Sequence, residues 1–335
     1  MKTKRIGRII VIVIICVLVI AIGALLGVAN YLVGYAIGRS AGMPDYMVPV
    51  YNDSPDEETL RRRQAEEDLV EGFRSHGEIE KAEITSLDGL TLRGEAILSD
   101  PASHKWVITV HGYRNHHTGM NVIAAHYGQQ GYNALMPDLR GCGESDGEFI
   151  GMGWPDRLDI LGWIDWILHR DEEAEIVLHG ISMGGATVMM TSGEELPPQV
   201  KAIVEDCGYT TVWDIFHHQI GSLHLPPFPL LNIANVISGI RAGYTFTEAS
   251  ALEQVKKAKV PMLFIHGAED TFVNTEMVYP LYEACPSPKE LLVVEGARHG
   301  NSYQQDEELY FGTVFQFLSA YVEEGREETP SFGED

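Results

Sequence analysis

The sequence predicts an α/β protein, a mostly parallel β-sheet covered by helices on both faces, with one long apolar helix ahead of it. Three observations carry that expectation. Beyond residue 81, short β-rich runs alternate with helical stretches, the order produced when helices pack on both faces of one sheet. The runs at 106–110, 134–136, 176–178, 202–204, 262–265 and 291–294 are apolar almost throughout, as strands covered on both sides must be. Ahead of them, residues 9–29 carry no charged side chain and consist largely of isoleucine, valine and leucine.

The 335 residues, 45% of them hydrophobic, suffice for one large domain. The formal net charge is −24, yet Lys2, Lys4, Arg5, Arg8 and Arg39 stand in the first 39 residues with no acid among them. The rest of the chain is therefore more acidic still. Such a body repels nucleic acid and anionic lipid head groups, and no polyanion-binding role is expected. Cys16, Cys142, Cys207 and Cys285 are dispersed, without the pairing of a disulfide framework or the spacing of metal ligands.

Element by element, residues 1–8 read as a basic cytoplasmic tail and 9–33 as a transmembrane anchor. As a helix, 9–29 would extend roughly 31 Å at ~1.5 Å per residue, the thickness of a hydrocarbon core. A cleavable signal peptide has a shorter apolar region of about 7–15 residues. The basic flank predicts a cytoplasmic N-terminus and a catalytic domain outside the membrane, at the cell surface. Gly23, Gly27, Gly34, Gly38 and Gly42 recur at or near helical spacing, which suits a weak homodimer through the anchor.

Residues 34–78 read as a linker and leading helix, with Ser54 as N-cap, Pro55 in the first turn and Glu57 closing the box. Anchor and linker are expected outside the sheet, so removing residues 1–40 should leave an active soluble domain. The domain itself spans 79–322. Runs at 83–87 and 90–98 flank Asp88-Gly89, a hairpin signal. Helices are expected at 119–130, 156–169, 184–194, 275–284 and 306–322. The stretch 209–247, rich in aromatics, histidines and prolines, is too long for a connection and reads as a helical cap over the strand ends. Residues 323–335 form an acidic tail.

The pattern G-x-S-x-G occurs twice, around Ser145 and around Ser182. A nucleophile works best on a sharp strand-to-helix turn with small flanking residues. Ser182 has a strand before it, Gly180 and Gly184 around it and a helix after it. Ser145 lies in DLRGCGESDG, a polar loop whose glycines serve turns. A serine needs a base, and the base an orienting acid. At later strand ends stand Asp270 in HGAEDTFV and His299 in VEGARHG, with Asp206 and Glu269 as rival acids. The backbone N–H of Met183, at the helix start, and of Tyr113, after His111-Gly112, are expected to hold an oxyanion. His126, His169, His179 and His266 read as helix, strand or packing residues. His217, His218 and His224 lack a completing acid or cysteine, so neither a metal nor a cofactor is expected.

Five motifs in order, HGY at 111–113, PDLRGCGESDG at 137–147, HGISMGG at 179–185, HGAEDTFV at 266–273 and ARHG at 297–300, make residues 81–322 resemble the α/β-hydrolase superfamily. The likeness is greatest to membrane-anchored bacterial cell-surface hydrolases and Bem46-like serine hydrolases. The resemblance implies an α/β-hydrolase fold with nucleophile Ser182, acid Asp270, base His299 and oxyanion donors Tyr113 and Met183. The implied activity is cleavage of a small-molecule ester or thioester through an acyl-enzyme. A peptidase or amidase with the same triad and a membrane-tethered, non-catalytic binding protein are the competing readings.

Overall fold

The computed structural model describes residues 2–39, 56–222, 224 and 226–322. The stretch 42–55 with Ser54, and the acidic tail at 323–335, lie outside the described residues.

An eight-stranded sheet organises the body, in the order β1-β2-β4-β3-β5-β6-β7-β8. Its strands are β1 (Glu78–Thr85), β2 (Thr91–Leu98), β3 (Lys105–Val110), β4 (Asn133–Pro137), β5 (Glu175–Ile181), β6 (Val200–Asp206), β7 (Met262–Gly267) and β8 (Lys289–Val294). β1 and β2 form the antiparallel hairpin around Asp88-Gly89, and β2 also runs antiparallel to β4. From β4 to β8 all pairs are parallel. Successive residues of a strand face opposite sides. Thus Trp106 and Ile108 join one apolar core, and Val107 joins the other.

The helices are α1 (Lys2–Ile37), α2 (Glu57–His76), α3 (Asn121–Gln129), α4 (Asp156–Leu168), α5 (Met183–Thr191), α6 (Val212–Ser222), α7 (Leu230–Arg241), α8 (Ala251–Val255), α9 (Val278–Ala284), α10 (Ser302–Gln305) and α11 (Glu307–Leu318). Ile160 and Trp163 of α4 and Met189 of α5 build the core on one face, while Tyr127 of α3 and Tyr310 and Phe317 of α11 build it on the other. The helix expected at 306–322 is α11, capped by Asp306, whose Oδ1 accepts from the Leu309 N–H at 3.0 Å, and it ends at Leu318, before the expected bound. Among the described residues, the insertion at 209–247 holds the helices α6 and α7.

The N-terminal region departs most from expectation. Helix α1 begins inside the basic tail and runs past residue 33. Its stretch 5–37 is long and apolar enough to cross a membrane. Its last turns are no linker, because Ala29, Val33 and Ile37 are buried, the latter two in the main core, and α7 packs alongside. Gly38 pairs with Phe149, and the Ile150 N–H donates to the Ile37 carbonyl at 2.7 Å. The expectation that residues 1–40 lie outside the domain is therefore wrong for the last ten or so. At α2 the cap is Asp56, whose Oδ1 accepts from the Thr59 N–H at 2.8 Å. The helix starts at Glu57, two residues later than a Ser54 cap requires. No side chain of α2 is fully buried, in keeping with a solvated helix.

Candidate active site

Ser182 sits between β5 and α5 with φ 59 and ψ −117, a backbone conformation that a side-chain-bearing residue adopts only under constraint. The neighbouring glycines explain how the turn closes. A Cβ on Gly180 would lie 2.1 Å from the Gly184 carbonyl oxygen, and one on Gly184 would lie 1.9 Å from that of Val110. A Cβ on Gly185 would meet the Asp206 carbonyl at 2.8 Å, so α5 packs against β6 only with glycine there.

The turn presents the Ser182 hydroxyl to His299, with Oγ 2.8 Å from Nε2. On its other side His299 Nδ1 lies 2.7 Å from Asp270 Oδ2. The loops after β7 and β8 thus bring together the three residues that the sequence places at strand ends. Asp270 is buried, and its Oδ1 accepts from the N–H groups of Phe272 and Val273, each at 2.9 Å. Burial alone would raise its pKa, but hydrogen bonds from His266 and His299 outweigh that and hold it at about 2. It is a carboxylate throughout the working range.

The rivals fall away by position. Glu269 is exposed, and Asp206 receives the Ser302 hydroxyl at 3.1 Å, with burial pushing its pKa up to about 6. Ser145 is fully buried: its Oγ donates to the Asp138 carbonyl at 2.6 Å and accepts from the Arg93 N–H at 2.8 Å. Its loop turns on Gly141, Gly143 and Gly147, all with positive φ.

Met183 is the first residue of α5, where helix N–H groups lack intrahelical acceptors. Tyr113 follows Gly112, where a Cβ would stand 3.4 Å from that of Ser182. The two expected oxyanion donors therefore lie on the segments that flank the serine.

Several contributors escaped the sequence reading. His111 is fully buried, burial pushes it down to about 4, and it is neutral. Its Nε2 accepts from the Leu139 N–H at 3.0 Å, which leaves Nδ1–H to donate to the Gly112 carbonyl at 2.8 Å. It braces the loop that carries Tyr113. The Tyr113 phenol donates to the Ala36 carbonyl, and Arg114 donates to Tyr35 and Gly38 carbonyls at 2.8 and 3.1 Å. Helix α1 therefore ends on the proposed oxyanion loop. His266, read as a packing residue, places Nε2 2.9 Å from the Val273 carbonyl and 3.4 Å from Asp270 Oδ2. Its signal was the i,i+4 spacing to Asp270 beyond a strand end.

Among the described residues, the side chains grouped closely enough to share a metal ion are Cys207, Asp270 and His299. The Asp–His pair is already engaged, and burial raises the Cys207 thiol well above its ordinary pKa. That donor set does not fit a metal. His217, His218 and His224 do not converge, and His218 instead places Nε2 2.9 Å from the Thr271 carbonyl.

Buried titratable groups beyond the triad set a pH dependence of stability. Burial pushes Asp156 up to about 7, Glu205 to about 8 and Asp206 to about 6. Each keeps its proton in the folded chain where the unfolded chain has lost it, so stability falls as pH rises through that window. Burial pushes His111 and His126 down to about 4 and His179 to about 3, which costs stability only as pH falls below about 6.5. The Tm of the full chain in detergent should therefore fall between about pH 6.5 and 9, and change little from about 6.5 to 5, where the two sets offset. A Tm rising above pH 7 would contradict this balance.

Comparison with known proteins places the chain. Residues 101–214 and 229–305 match Hydrolase_4, described as serine aminopeptidase, S33. YqkD of Bacillus subtilis is 28% identical over 190 residues, which make up 56% of this chain and 62% of YqkD. YfhR of Escherichia coli K12 is 24% identical over 236 residues, 67% of this chain and 74% of that one. Among solved structures, the Pyrococcus furiosus esterase Pf2001 is 27% identical with a TM-score of 0.61, covering 76% of this chain and 95% of its own. The match does not single out the narrower Bem46-like group. By the family match and its sheet, the chain belongs to Hydrolase_4, the serine aminopeptidase S33 family of the α/β-hydrolase superfamily.

Proposed function

We propose that this chain is a serine hydrolase that cleaves carboxylic ester or thioester bonds through an acyl-enzyme. The observation that carries the reading is the relay from Ser182 Oγ through His299 to Asp270, with spacings of 2.8 and 2.7 Å. With Asp270 ionised, Nδ1 of His299 keeps its proton and Nε2 offers a lone pair to the serine hydroxyl. Ser182 attacks the carbonyl carbon as His299 takes its proton, and the Tyr113 and Met183 N–H groups hold the oxyanion. His299 then protonates the leaving alcohol or thiol. Water, activated by the same imidazole, releases the acid and restores the serine. No cofactor enters these steps.

Resemblance to an esterase of known structure favours esters; the family description, serine aminopeptidase, keeps an amide-cleaving reading open. A fluorophosphonate probe should label Ser182, and unreactivity would favour a non-catalytic binding protein. Within a panel of p-nitrophenyl esters and aminoacyl anilides, faster turnover of the anilides would overturn the ester reading. The acid assignment predicts that Asp270→Asn lowers kcat by about 10³–10⁴, since the imidazole loses its orienting partner. Asp206→Asn should cost less than about tenfold, because the amide resembles the protonated acid that burial favours there. Equal losses in stopped-flow ester cleavage would transfer the role to Asp206.

The reading includes α1 as an uncleaved anchor with a cytoplasmic N-terminus and the body on the outer face, supported by Arg5 and Arg8 ahead of the apolar run. Protease added to intact cells should release the body; full protection until lysis would reverse the orientation. A weak homodimer would use Gly23 and Gly27, which have open space around them, since Gly34 lies against the Arg241 guanidinium and Gly38 against the body. The acidic body gives no foothold for nucleic acid.

A further inference from the structure

We propose that the outer face of cap helix α7 is a second membrane-contact surface, seated in the interfacial region of the bilayer that α1 crosses. This rests on the reading of α1 as a spanning anchor. Phe228, Val236 and Ile240 are 76%, 59% and 79% exposed. Val236 and Ile240 stand one helical turn apart, on the side of α7 away from buried Ala234 and Ser238.

Single exposed apolar side chains need no explanation. What singles these out is where the fold puts them. Helix α7 packs along α1, and Arg241 Nη1 donates to the Asn30 carbonyl at 2.9 Å. The body covers Ala29 completely and Leu25 in part, and both residues belong to the uncharged run itself. A bilayer that encloses this run therefore meets the cap with no gap between them. At the same level Tyr31 and Tyr35 are exposed and stacked, with centroids 6.3 Å apart, the residue type favoured at membrane interfaces.

The charge pattern agrees. The chain holds 48 acidic residues, yet none falls between Asp214, in the first turn of α6, and Glu248, so α7 and the segments that flank it carry none. Seating this face in head groups desolvates no carboxylate. A second copy is the other occupant an apolar face invites, but two chains of net charge −24, each with a body more acidic still, repel each other. The seat also bears on the site, because α6 of the same cap holds the acid loop: Gln219 donates to the Phe272 carbonyl at 2.9 Å, beside Asp270. A site held there receives esters whose acyl chains partition into the bilayer.

The test uses the full chain in phosphatidylcholine vesicles carrying doxyl-labelled lipid. A bimane label is placed at Val236→Cys or at Glu173→Cys in a Cys16→Ser background, and on native Cys16 in a third sample. Glu173 is exposed on the turn entering β5, at the far end of the strands, and Cys142, Cys207 and Cys285 are buried from the reagent. The expected result is several-fold stronger quenching at position 236 than at 173. Quenching at Cys16 with none at 236 would overturn the seat and leave the anchor standing. No quenching at either would remove both. A concentration-dependent blue shift at 236 without doxyl quenching would assign the face to a second copy and overturn the proposal. In parallel, Val236→Glu with Ile240→Glu should slow cleavage of a vesicle-borne long-chain ester at least fivefold and leave p-nitrophenyl acetate unchanged. Equal rates on both substrates would count against it.

Discussion

Ser182→Ala is expected to lower kcat for ester cleavage by roughly five to six orders of magnitude, while the protein stays folded. The hydroxyl's hydrogen-bond partner is His299 Nε2, so removing it leaves no buried group of the fold unsatisfied. Alanine must accept the same positive φ of 59 that serine accepts, so the turn keeps its geometry and its strain. Ser145→Ala is expected to behave in the opposite way. Its Oγ joins the β2 backbone at Arg93 to the Asp138 carbonyl in a site with no solvent exposure. Losing it should cost about 1–3 kcal/mol of stability and leave kcat of the folded fraction almost unchanged. The pair of variants separates chemistry from scaffolding for two serines in the same sequence pattern. Comparable losses of kcat, measured alongside unfolding curves, would mean that the strand-to-helix turn is the wrong criterion.

That criterion was legible because it depends on local physics. β5 has an apolar centre at 176–178, Gly180 and Gly184 lie where any Cβ would strike backbone, and α5 begins at Met183, directly after the serine. Asp270 and His299 were legible for a related reason, each standing a few residues beyond an apolar strand run, fully buried in β7 and partly buried in β8. What stayed hidden depends on contacts between distant segments. Ala29, Val33 and Ile37 lie four apart along one face of α1, but their neighbours, Asn30 apart, carry no strongly polar side chain, so no stripe stands out. The grip of Tyr113 on Ala36 joins residues 77 apart, and nothing in either segment announces the other. At α2 two cap-forming residues flank Pro55, and the choice of Asp56 over Ser54 follows from where the first turn forms.

Removal of residues 1–28 and removal of residues 1–40 should give sharply different proteins. The shorter deletion takes away side chains that, from Arg5 to Val28, are almost all exposed, and the remaining body should be soluble and cleave a water-soluble ester within about threefold of the full chain. The longer one empties the places of Ala29, Val33 and Ile37, which are 0%, 1% and 0% exposed. At about 1.5–3 kcal/mol for each large apolar side chain withdrawn from water, Val33 and Ile37 alone contribute roughly 3–6 kcal/mol. That is a large share of the ~5–15 kcal/mol that holds a domain together. The longer deletion also strips the acceptors from the oxyanion loop, since Tyr113 and Arg114 bond to the carbonyls of Tyr35, Ala36 and Gly38. It further frees the loop that carries Gly143, whose carbonyl accepts from Arg39 at 2.9 Å. The expected outcome is insoluble protein, or a soluble fraction with a much lower Tm and kcat reduced by about 10² or more, the cost of one misplaced oxyanion donor. To separate folding from positioning, Tyr113→Phe in the full chain keeps the backbone N–H and removes the phenol's bonds to the Ala36 carbonyl and from Arg114 Nε. It should lower kcat severalfold with KM and Tm little changed. If the longer deletion matches the shorter one in Tm and kcat, the end of α1 is a tether after all, and the oxyanion loop holds its shape without it.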